Sequence, residues 1–506
     1  METKGEDVVG TTKRKEERPV YLRGINNFMY LGWSEGFHDA GVCVIDNNGH
    51  IVFASHSERF SGKKHDKYIG YDLKGYINGM WKSEIVHKAF FEQPLLKKTR
   101  QLYAGQFSTI FKKRLLAWKP DSTHPHHKSH AAGAFQTSPY EEAVTIVVDS
   151  IGEWDCTSVW KCGYDAEGKA TYKKVYSEKY PESIGLWYSA LTKYVGLRPL
   201  DEEYIFMGMA AFGEPSEPCI ADLHNLLCNV NNHKGIPVGH LDYPNEVIAA
   251  SAQVVLENKL QEIFSFASQY SDNICYGGGV ALNCVANTKL QLKYPNLWIM
   301  PNPGDAGGSL GAAALAYGGK VHWEHPYLGR DISSSTTPDK LAEEIVDELE
   351  KTGVVGVVFG QSEFGPRALG NRSLLADPRG EGAKDRINGI KRRQKFRPFA
   401  PVILEEHAHE YFDITSSDGS SPYMSFVYDG LKTDCPAILH VDNTCRVQTV
   451  PWNSPSIIRT VLDLWYHRTG CPLLLNTSLN IRGEPMVDTL NDAHRFEMQY
   501  GVKVVY

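Results

Sequence analysis

Four histidines fall within seven residues at His124-Pro125-His126-His127-Lys128-Ser129-His130. His126 and His130 are four apart. On a helix both imidazoles would share one face, one turn apart, within reach of a single metal ion. No Glu follows the first of them, so the zinc-protease pattern HExxH is absent. The competing reading is a solvated polar loop with incidental histidines, and spacing alone leaves both open. Two carboxylates could complete a metal site. Asp149 ends the apolar run Ala143-Val144-Thr145-Ile146-Val147-Val148, and Asp305 sits in Pro303-Gly304-Asp305-Ala306-Gly307-Gly308. Strand ends in α/β folds point side chains into the ligand-binding crevice; the alternative for Asp305 is a helix N-cap. Two His and two Asp suit a divalent metal with open positions, such as iron, manganese or zinc.

A second chemistry lies further along. Arg367, Arg372, Arg379, Arg386, Lys391, Arg392, Arg393, Lys395, Arg397 and Arg446 gather cations in a chain whose net charge is −7. Arg grips phosphate bidentately and Lys as a point charge. A polyphosphate pocket and a nucleic-acid patch both fit. The rigid Phe396-Arg397-Pro398-Phe399-Ala400-Pro401 favours a shaped pocket, and a solvated helix face over 384–395 would claim some of these cations. Gly365-Pro366-Arg367-Ala368-Leu369-Gly370-Asn371-Arg372-Ser373 imitates a P-loop but lacks its Lys. The run Leu473-Leu474-Leu475-Asn476-Thr477-Ser478 reads as a buried strand entering a polar loop, suited to holding a small polar substrate. Gly277-Gly278-Gly279-Val280-Ala281-Leu282-Asn283 follows a strand and opens a helix, a weak motif for close approach to a phosphate.

The elements that must position these groups can be outlined. Asp46-Asn47-Asn48-Gly49 between two apolar runs predicts a β-hairpin. Residues 70–118 carry helical spacing with many Lys and Arg. Helices are expected over 181–212, 245–270, from about 308, and over 339–351, with strands at 143–148, 273–276 and 354–359. The polar run 331–338 is the best linker, and no internal repeat is visible.

The composition bounds the class. The chain has 506 residues, 42% hydrophobic and 22% charged, which is ordinary for a globular protein of two large units or about three smaller ones. An acidic balance of 60 Asp and Glu to 53 Lys and Arg argues against a nucleic-acid coat. No apolar stretch is long enough for a bilayer. The charged start lacks a secretory core and reads as a disordered tail over 1–19. Ten isolated cysteines without a CxxC pair suggest a reduced, intracellular protein, with cytoplasmic location expected.

Taken together, these segments resemble the NodU/CmcH family of O-carbamoyltransferases. The match is carried by Phe37-His38-Asp39-Ala40, Glu58-Arg59-Phe60, Lys64-His65-Asp66, His126-His127-Lys128-Ser129-His130, Met207-Gly208-Met209-Ala210, the 277–283 and 303–307 motifs, Glu363 through Ser373, Phe396 through Pro401, Arg446-Val447-Gln448 and Leu475-Asn476-Thr477-Ser478. The resemblance implies an α/β chain: a large two-lobed ASKHA-type domain (the actin, Hsp70 and sugar-kinase fold) over 20–332, then a smaller YrdC-like domain over 339–506.

It also implies a reaction. The YrdC-like domain would make carbamoyl-adenylate from carbamoyl phosphate and ATP, with Mg, binding them at Arg367, Lys391, Arg397, Arg446, Asn476 and Ser478. The ASKHA-type domain would pass the carbamoyl group to a hydroxyl of a small-molecule acceptor. Its metal, Fe(II) or another divalent ion, would sit on His126, His130, Asp149 and Asp305. Gly152, Gly278, Gly279 and Asn283 would serve nucleotide binding there, and His38, near the acceptor, would act as catalytic base. Gln361-Ser362, Ile205 and Ser150 depart from the family's usual residues, none of them at an inferred metal ligand or phosphate cation. No membrane partner is expected, nucleic acid is disfavoured, and a homodimer is left open. The competing functions are a tRNA threonylcarbamoyl-type enzyme and a non-catalytic ASKHA nucleotide-binding protein.

Overall fold

The hairpin forms as its turn chemistry requires. Gly49 takes φ +90, and the Asp46 carboxylate accepts from the Asn48 and His50 amides at 2.9 Å each, an Asx-type turn. In the computed structural model, which describes residues 28–107, 115–237, 239–332, 336–380, 382–394, 397–416, 419–432 and 434–506, that hairpin is the edge of a five-stranded sheet. The 1–19 tail, the 333–335 centre of the linker and Lys395 lie outside the described residues.

The first sheet runs Ile51–His56, Gly41–Asp46, Met29–Ser34, Ile85–Phe90, Ser122–Thr123. Its first three strands are antiparallel, and the last two join in parallel. A second sheet runs Ala170–Lys179, Asp155–Tyr164, Glu142–Val148, Ile274–Gly277, Leu297–Ile299, with the same order and the same senses. The chain thus has an α/β fold with two lobes of like topology, as the two-lobed expectation requires. The absence of an internal repeat therefore holds for the residues but not for the structure. Strand order is written in backbone hydrogen bonds, which leave no common side-chain signature. The expectation of helix throughout 70–118 is also corrected. Helices Tyr71–Trp81 and Pro94–Tyr103 flank the strand Ile85–Phe90, whose exposed Val86 and polar His87 and Lys88 hide it.

Two helices fill the space between the lobes. Gly308–Tyr317 packs on the first sheet, and His126–Gln136 packs on both that helix and the second sheet. They touch almost backbone to backbone: a Cβ on Gly311 would lie 1.7 Å from the Ser129 carbonyl oxygen. This fixes the ends of both helices relative to one another.

The remaining sheet has six strands, ordered Gln448–Val450, Ala400–Leu404, Leu473–Ser478, Arg372–Ala376, Val354–Val358, Val504–Val505, and is mixed. Its amphipathic cover, Pro338–Thr352, buries Leu341, Ile345 and Leu349 and ends at Gly353 in the left-handed region, as the sequence pattern predicts. Tyr327–Ile332 pairs antiparallel with Gly360–Glu363, so the chain on either side of the linker is stitched by backbone. One apolar core runs from Val144, Trp187 and Ile248 of the second lobe into Val355, Leu374 and Leu474 of the six-stranded sheet.

Candidate active site

The helix His126–Gln136 has its N-terminus aimed into the cleft between the lobes. The Glu153 carboxylate accepts from the His126 amide at 3.0 and 3.1 Å and from the Gln93 amide at 2.6 Å. A carboxylate suits this end of a helix because it meets both the orphan amides and the positive end of the macrodipole. Glu153 stands in a segment singled out for Asp149, yet its capping role has no local signal, since its partners lie 27 and 60 residues away.

With the helix held, His126 and His130 face the same way one turn apart, their Nε2 atoms separated by 3.0 Å. Asp149 extends from the end of the Glu142–Val148 strand and places Oδ2 at 3.0 Å from His126 Nε2 and 3.6 Å from His130 Nε2. Asp305 Oδ1 lies 3.3 and 3.4 Å from the same two nitrogens. All four ligand atoms lie within 4.8 Å of one another, and all four residues are buried. Asp305 is not a cap. It is the first residue of the short turn Asp305–Gly307, whose N-cap is Gly304, and no side chain caps it, so its carboxylate is free to meet the histidines.

The other two histidines of the run take the blander role. His127 Nδ1 bonds Ser158 Oγ at 2.8 Å, and His124 Nε2 meets Ser122 Oγ at 3.1 Å. Burial pushes both rings below the ordinary histidine value, His124 to about 4. The electrostatics of the inner pair run the opposite way. Burial opposes charge on His126 and His130, but Asp149 and Asp305 outweigh it and raise both. Burial likewise opposes charge on the two carboxylates, yet the imidazoles hold them low. Two buried imidazoles and two buried carboxylates that converge form a donor set for a divalent cation.

His38 comes from the loop between the Met29–Ser34 and Gly41–Asp46 strands, and its Nε2 lies 3.6 Å from Asp305 Oδ2. Burial disfavours its charge, but Asp305 and Asp39 overcome this and raise it to about 9. The glycines border the same cluster. Gly279 offers its amide to Asp149 Oδ1 at 3.3 Å, and a Cβ on Gly152 would meet the His127 ring at 2.8 Å. Gly278 has φ +90, and a Cβ there would lie 2.2 Å from the Val148 carbonyl oxygen. Asn283 caps the helix Cys284–Lys293 by accepting from the Ala286 amide at 3.0 Å, and exchanges bonds with Gln253.

The cations of the six-stranded unit form a separate centre. Among the described residues, none of Arg367, Lys391, Arg393, Arg397 and Arg446 pairs with a carboxylate. Burial lowers Arg367 and Arg397, and so does the like charge of Arg446; Arg393 falls by burial and by Arg397. Arg446 Nε is buried without a partner. Arg397 stacks on Tyr204 at 4.7 Å, so the cluster faces the two-lobed unit. Lys391 donates to the Ser478 carbonyl and hydroxyl and, at 2.8 Å, to Asn480 Oδ1.

Asn476 has a structural share. Its amide donates to the Ala368 carbonyl at 3.1 Å and to Gln448 Oε1 at 2.8 Å, while Gln448 donates to Leu369 at 2.8 Å. The pair thereby ties down the loop that carries Arg367, leaving Asn476 Oδ1 buried and unpartnered. Arg372, one of the cations gathered in the sequence, lies outside this centre. Its guanidinium is spent on the carbonyls of Phe359, Asn371, Arg330 and Gly360. Arg379 is paired with Asp377.

Comparison with known proteins decides the family. The carbamoyltransferase C-terminus family model matches residues 346–506, and the carbamoyltransferase N-terminus model matches 72–236 and 229–314. The chain belongs to the carbamoyltransferase family. It is an enzyme of that kind, which removes the non-catalytic alternative. It is 31% identical to the nodulation protein NolNO of Sinorhizobium fredii, over 90% of this chain and 76% of that one. It is 32% identical to the nodulation protein NolO of Bradyrhizobium diazoefficiens, over 73% and 75%. It is also 32% identical to an uncharacterized protein of Synechocystis sp., over 93% of this chain and 94% of the relative. No described helix of this carbamoyltransferase is long and apolar enough to cross a membrane.

Proposed function

We propose that the chain is an ATP-dependent O-carbamoyltransferase that divides its reaction between two centres. The observation that carries this reading is the cluster of Arg367, Arg397 and Arg446, half-buried, without a carboxylate partner among the described residues, and turned towards the unit that holds the four-ligand cluster. Like charges gathered and partly withdrawn from water repel one another, and a bound polyphosphate would supply the missing counter-charge. Water would hydrolyse carbamoyl phosphate to phosphate and carbamate, and the carbamate oxygen would attack the α-phosphorus of ATP, expelling pyrophosphate and leaving carbamoyl-adenylate. The Arg side chains would hold the phosphate charge as it develops, with Mg accompanying ATP. Residues 339–506 would house this YrdC-like step and 20–332 the transfer step.

In the transfer step the acceptor hydroxyl attacks the carbamoyl carbon and AMP departs. His126, His130, Asp149 and Asp305 would hold a divalent metal, iron(II) on the family resemblance. When bound, it acts as a Lewis acid on a carbonyl or phosphate oxygen. His38 would take the hydroxyl proton at Nε2. Burial opposes charge on His38, while Asp305 and then Asp39 raise it; a cation on Asp305 would remove that carboxylate's share of the lift and move the ring towards the range of a base. Gly152, Gly278 and Gly279 line the rim of the metal cluster, where a nucleotide phosphate could approach their backbone; Asn283 would act through the helix it caps. The acceptor is a small hydroxyl compound, and the acidic net charge disfavours tRNA.

The test is direct. Full-length protein given ATP, carbamoyl phosphate, magnesium and iron(II) should release pyrophosphate, and AMP should follow when a hydroxyl acceptor is added. No pyrophosphate under these conditions would refute the reading.

A further inference from the structure

His38 does not stand alone. Its Nδ1 lies 2.9 Å from Asp39 Oδ2, and the other oxygen of Asp39 lies 2.8 Å from Nδ1 of His65. The far nitrogen of His65 lies 2.8 Å from Asp201 Oδ1. Asp201 is in turn held at 2.8 Å by Arg198. The line therefore starts beside the metal ligand Asp305, runs through the first lobe and ends on a residue of the other lobe, 136 positions from His65.

Two features show that the line is built rather than incidental. Asp39 and His65 are both non-glycine residues in the left-handed region, at φ +49 and +53, a conformation that persists where surrounding contacts impose it. Those contacts are visible. The Ala40 amide donates to the Asp66 carbonyl, and the Gly36 amide to that of Lys67, both at 2.8 Å. Glu58, buried, takes the His65 amide and the Lys64 ammonium at 2.9 Å each.

The donor logic then fixes the protons. Ionised carboxylates only accept. His65 lies between two of them, so both its ring nitrogens must donate and the ring is an imidazolium. Asp39, accepting from His65 through one oxygen, accepts the His38 Nδ1–H through the other. That leaves His38 Nε2, 3.6 Å from Asp305 Oδ2, as the nitrogen that is bare once a cation occupies Asp305. We propose that Asp39 and His65 are positioning residues that set the ring orientation and tautomer of His38 for the transfer step. The assignment deepens the function proposed above and rests on it for the role of His38. The orientation of the ring stands on the hydrogen bonds to Asp39 and from Asp39 to His65.

Asp39→Asn gives a sharp expectation. His65, donating from both nitrogens, compels the new side chain to turn its carbonyl oxygen towards His65. Its NH2 then faces His38 and must find an acceptor, so the His38 proton moves to Nε2, the wrong nitrogen for a base. His65→Gln keeps the Asp39 carboxylate but loosens it, so a mixture of tautomers is expected.

The experiment is ring-15N histidine NMR of the full-length protein with Zn2+ as a diamagnetic ion, the His38 signals being identified by their loss in His38→Gln. Wild type should show the Nδ1–H form. Asp39→Asn should carry the proton mostly on Nε2, His65→Gln should lie between, and Asp39→Glu should restore the wild-type pattern. An Nδ1–H ring unchanged in both Asp39→Asn and His65→Gln would overturn the proposal. In parallel, the single-turnover burst of pyrophosphate from ATP and carbamoyl phosphate should stay within about twofold in Asp39→Asn, while AMP release to water as acceptor falls by about 10²–10⁴-fold. Equal loss of both would mark a merely structural role and overturn it too. Absence of pyrophosphate from wild type would sink the proposed reaction and leave the tautomer result to be judged by itself.

Discussion

The two charged centres of this enzyme are opposites in how they balance themselves. At the cleft between the lobes, two imidazoles face two carboxylates, each raising or lowering its partner so that charge is met by charge. In the six-stranded unit, Arg367 and Arg397 are half-buried beside Arg446, whose like charge adds to burial in lowering both. The first centre is complete in charge. The second is frustrated until an anion arrives. The difference teaches where each ligand's free energy goes. On the proposed function, a metal would replace contacts that already exist, whereas a polyphosphate would relieve a repulsion that the fold carries without it.

The sharpest way to break this contrast is to remove a cation. Arg397→Ala should lower pyrophosphate release by roughly 10²–10³-fold, the loss expected when a preorganised donor to developing charge disappears. Metal content should stay at the wild-type level, and a parallel loss of metal would show that the centres are not separate. His130→Ala is the mirror experiment. It should reduce bound transition metal and lower carbamoyl transfer by at least about 10²-fold, with pyrophosphate release retained. If both steps fall together, the division of labour fails.

A milder substitution sharpens the frustration argument. Arg367→Met keeps the volume and removes one of several crowded like charges. In the absence of ligand its melting temperature should rise, because the repulsion between Arg367 and its neighbours Arg446 and Arg397 is relieved. Pyrophosphate should stabilise wild type, by about 2.7 kcal/mol at a hundredfold excess over Kd, and should do so much less in Arg367→Met. A variant that melts earlier than wild type without ligand would show that the cations are compensated after all.

How much of this the sequence discloses follows from locality. His126 and His130 are legible because their spacing encodes a shared helix face, and Asp149 because an apolar strand ends on it. The cations are legible as a group, but not individually. Arg372 carries the same side chain as Arg367 and stands five residues on, yet only its tertiary surroundings show it spent on four carbonyls. Asn476 reads as a substrate amide because its tie to Ala368, 108 residues away, has no local trace. Glu153 and Asp201 are missed for the same reason: their partners become neighbours only after the lobes form.

The smallest effect separates the clamp at His65 from both centres. His65 lies between Asp39 and Asp201, with Lys64 as the nearby like charge; burial opposes its protonation, but the two carboxylates raise it from 6.5 to about 10. A pKa raised on folding means that the folded state binds the proton more tightly than the unfolded chain. The stabilisation is therefore fully present below pH 6.5, declines as pH rises, and is lost above about 10. The ring keeps partial contact with water, so the magnitude should be on the order of 1 kcal/mol. His65→Gln should accordingly be less stable than wild type at pH 6, with the gap closing between pH 6.5 and 10 in denaturant titrations. A gap that instead widens with pH would mean that the ring is neutral in the folded protein. The carboxylates on either side of it would then have to hold a proton between them, and the chain of donors leading to His38 would run in the opposite sense.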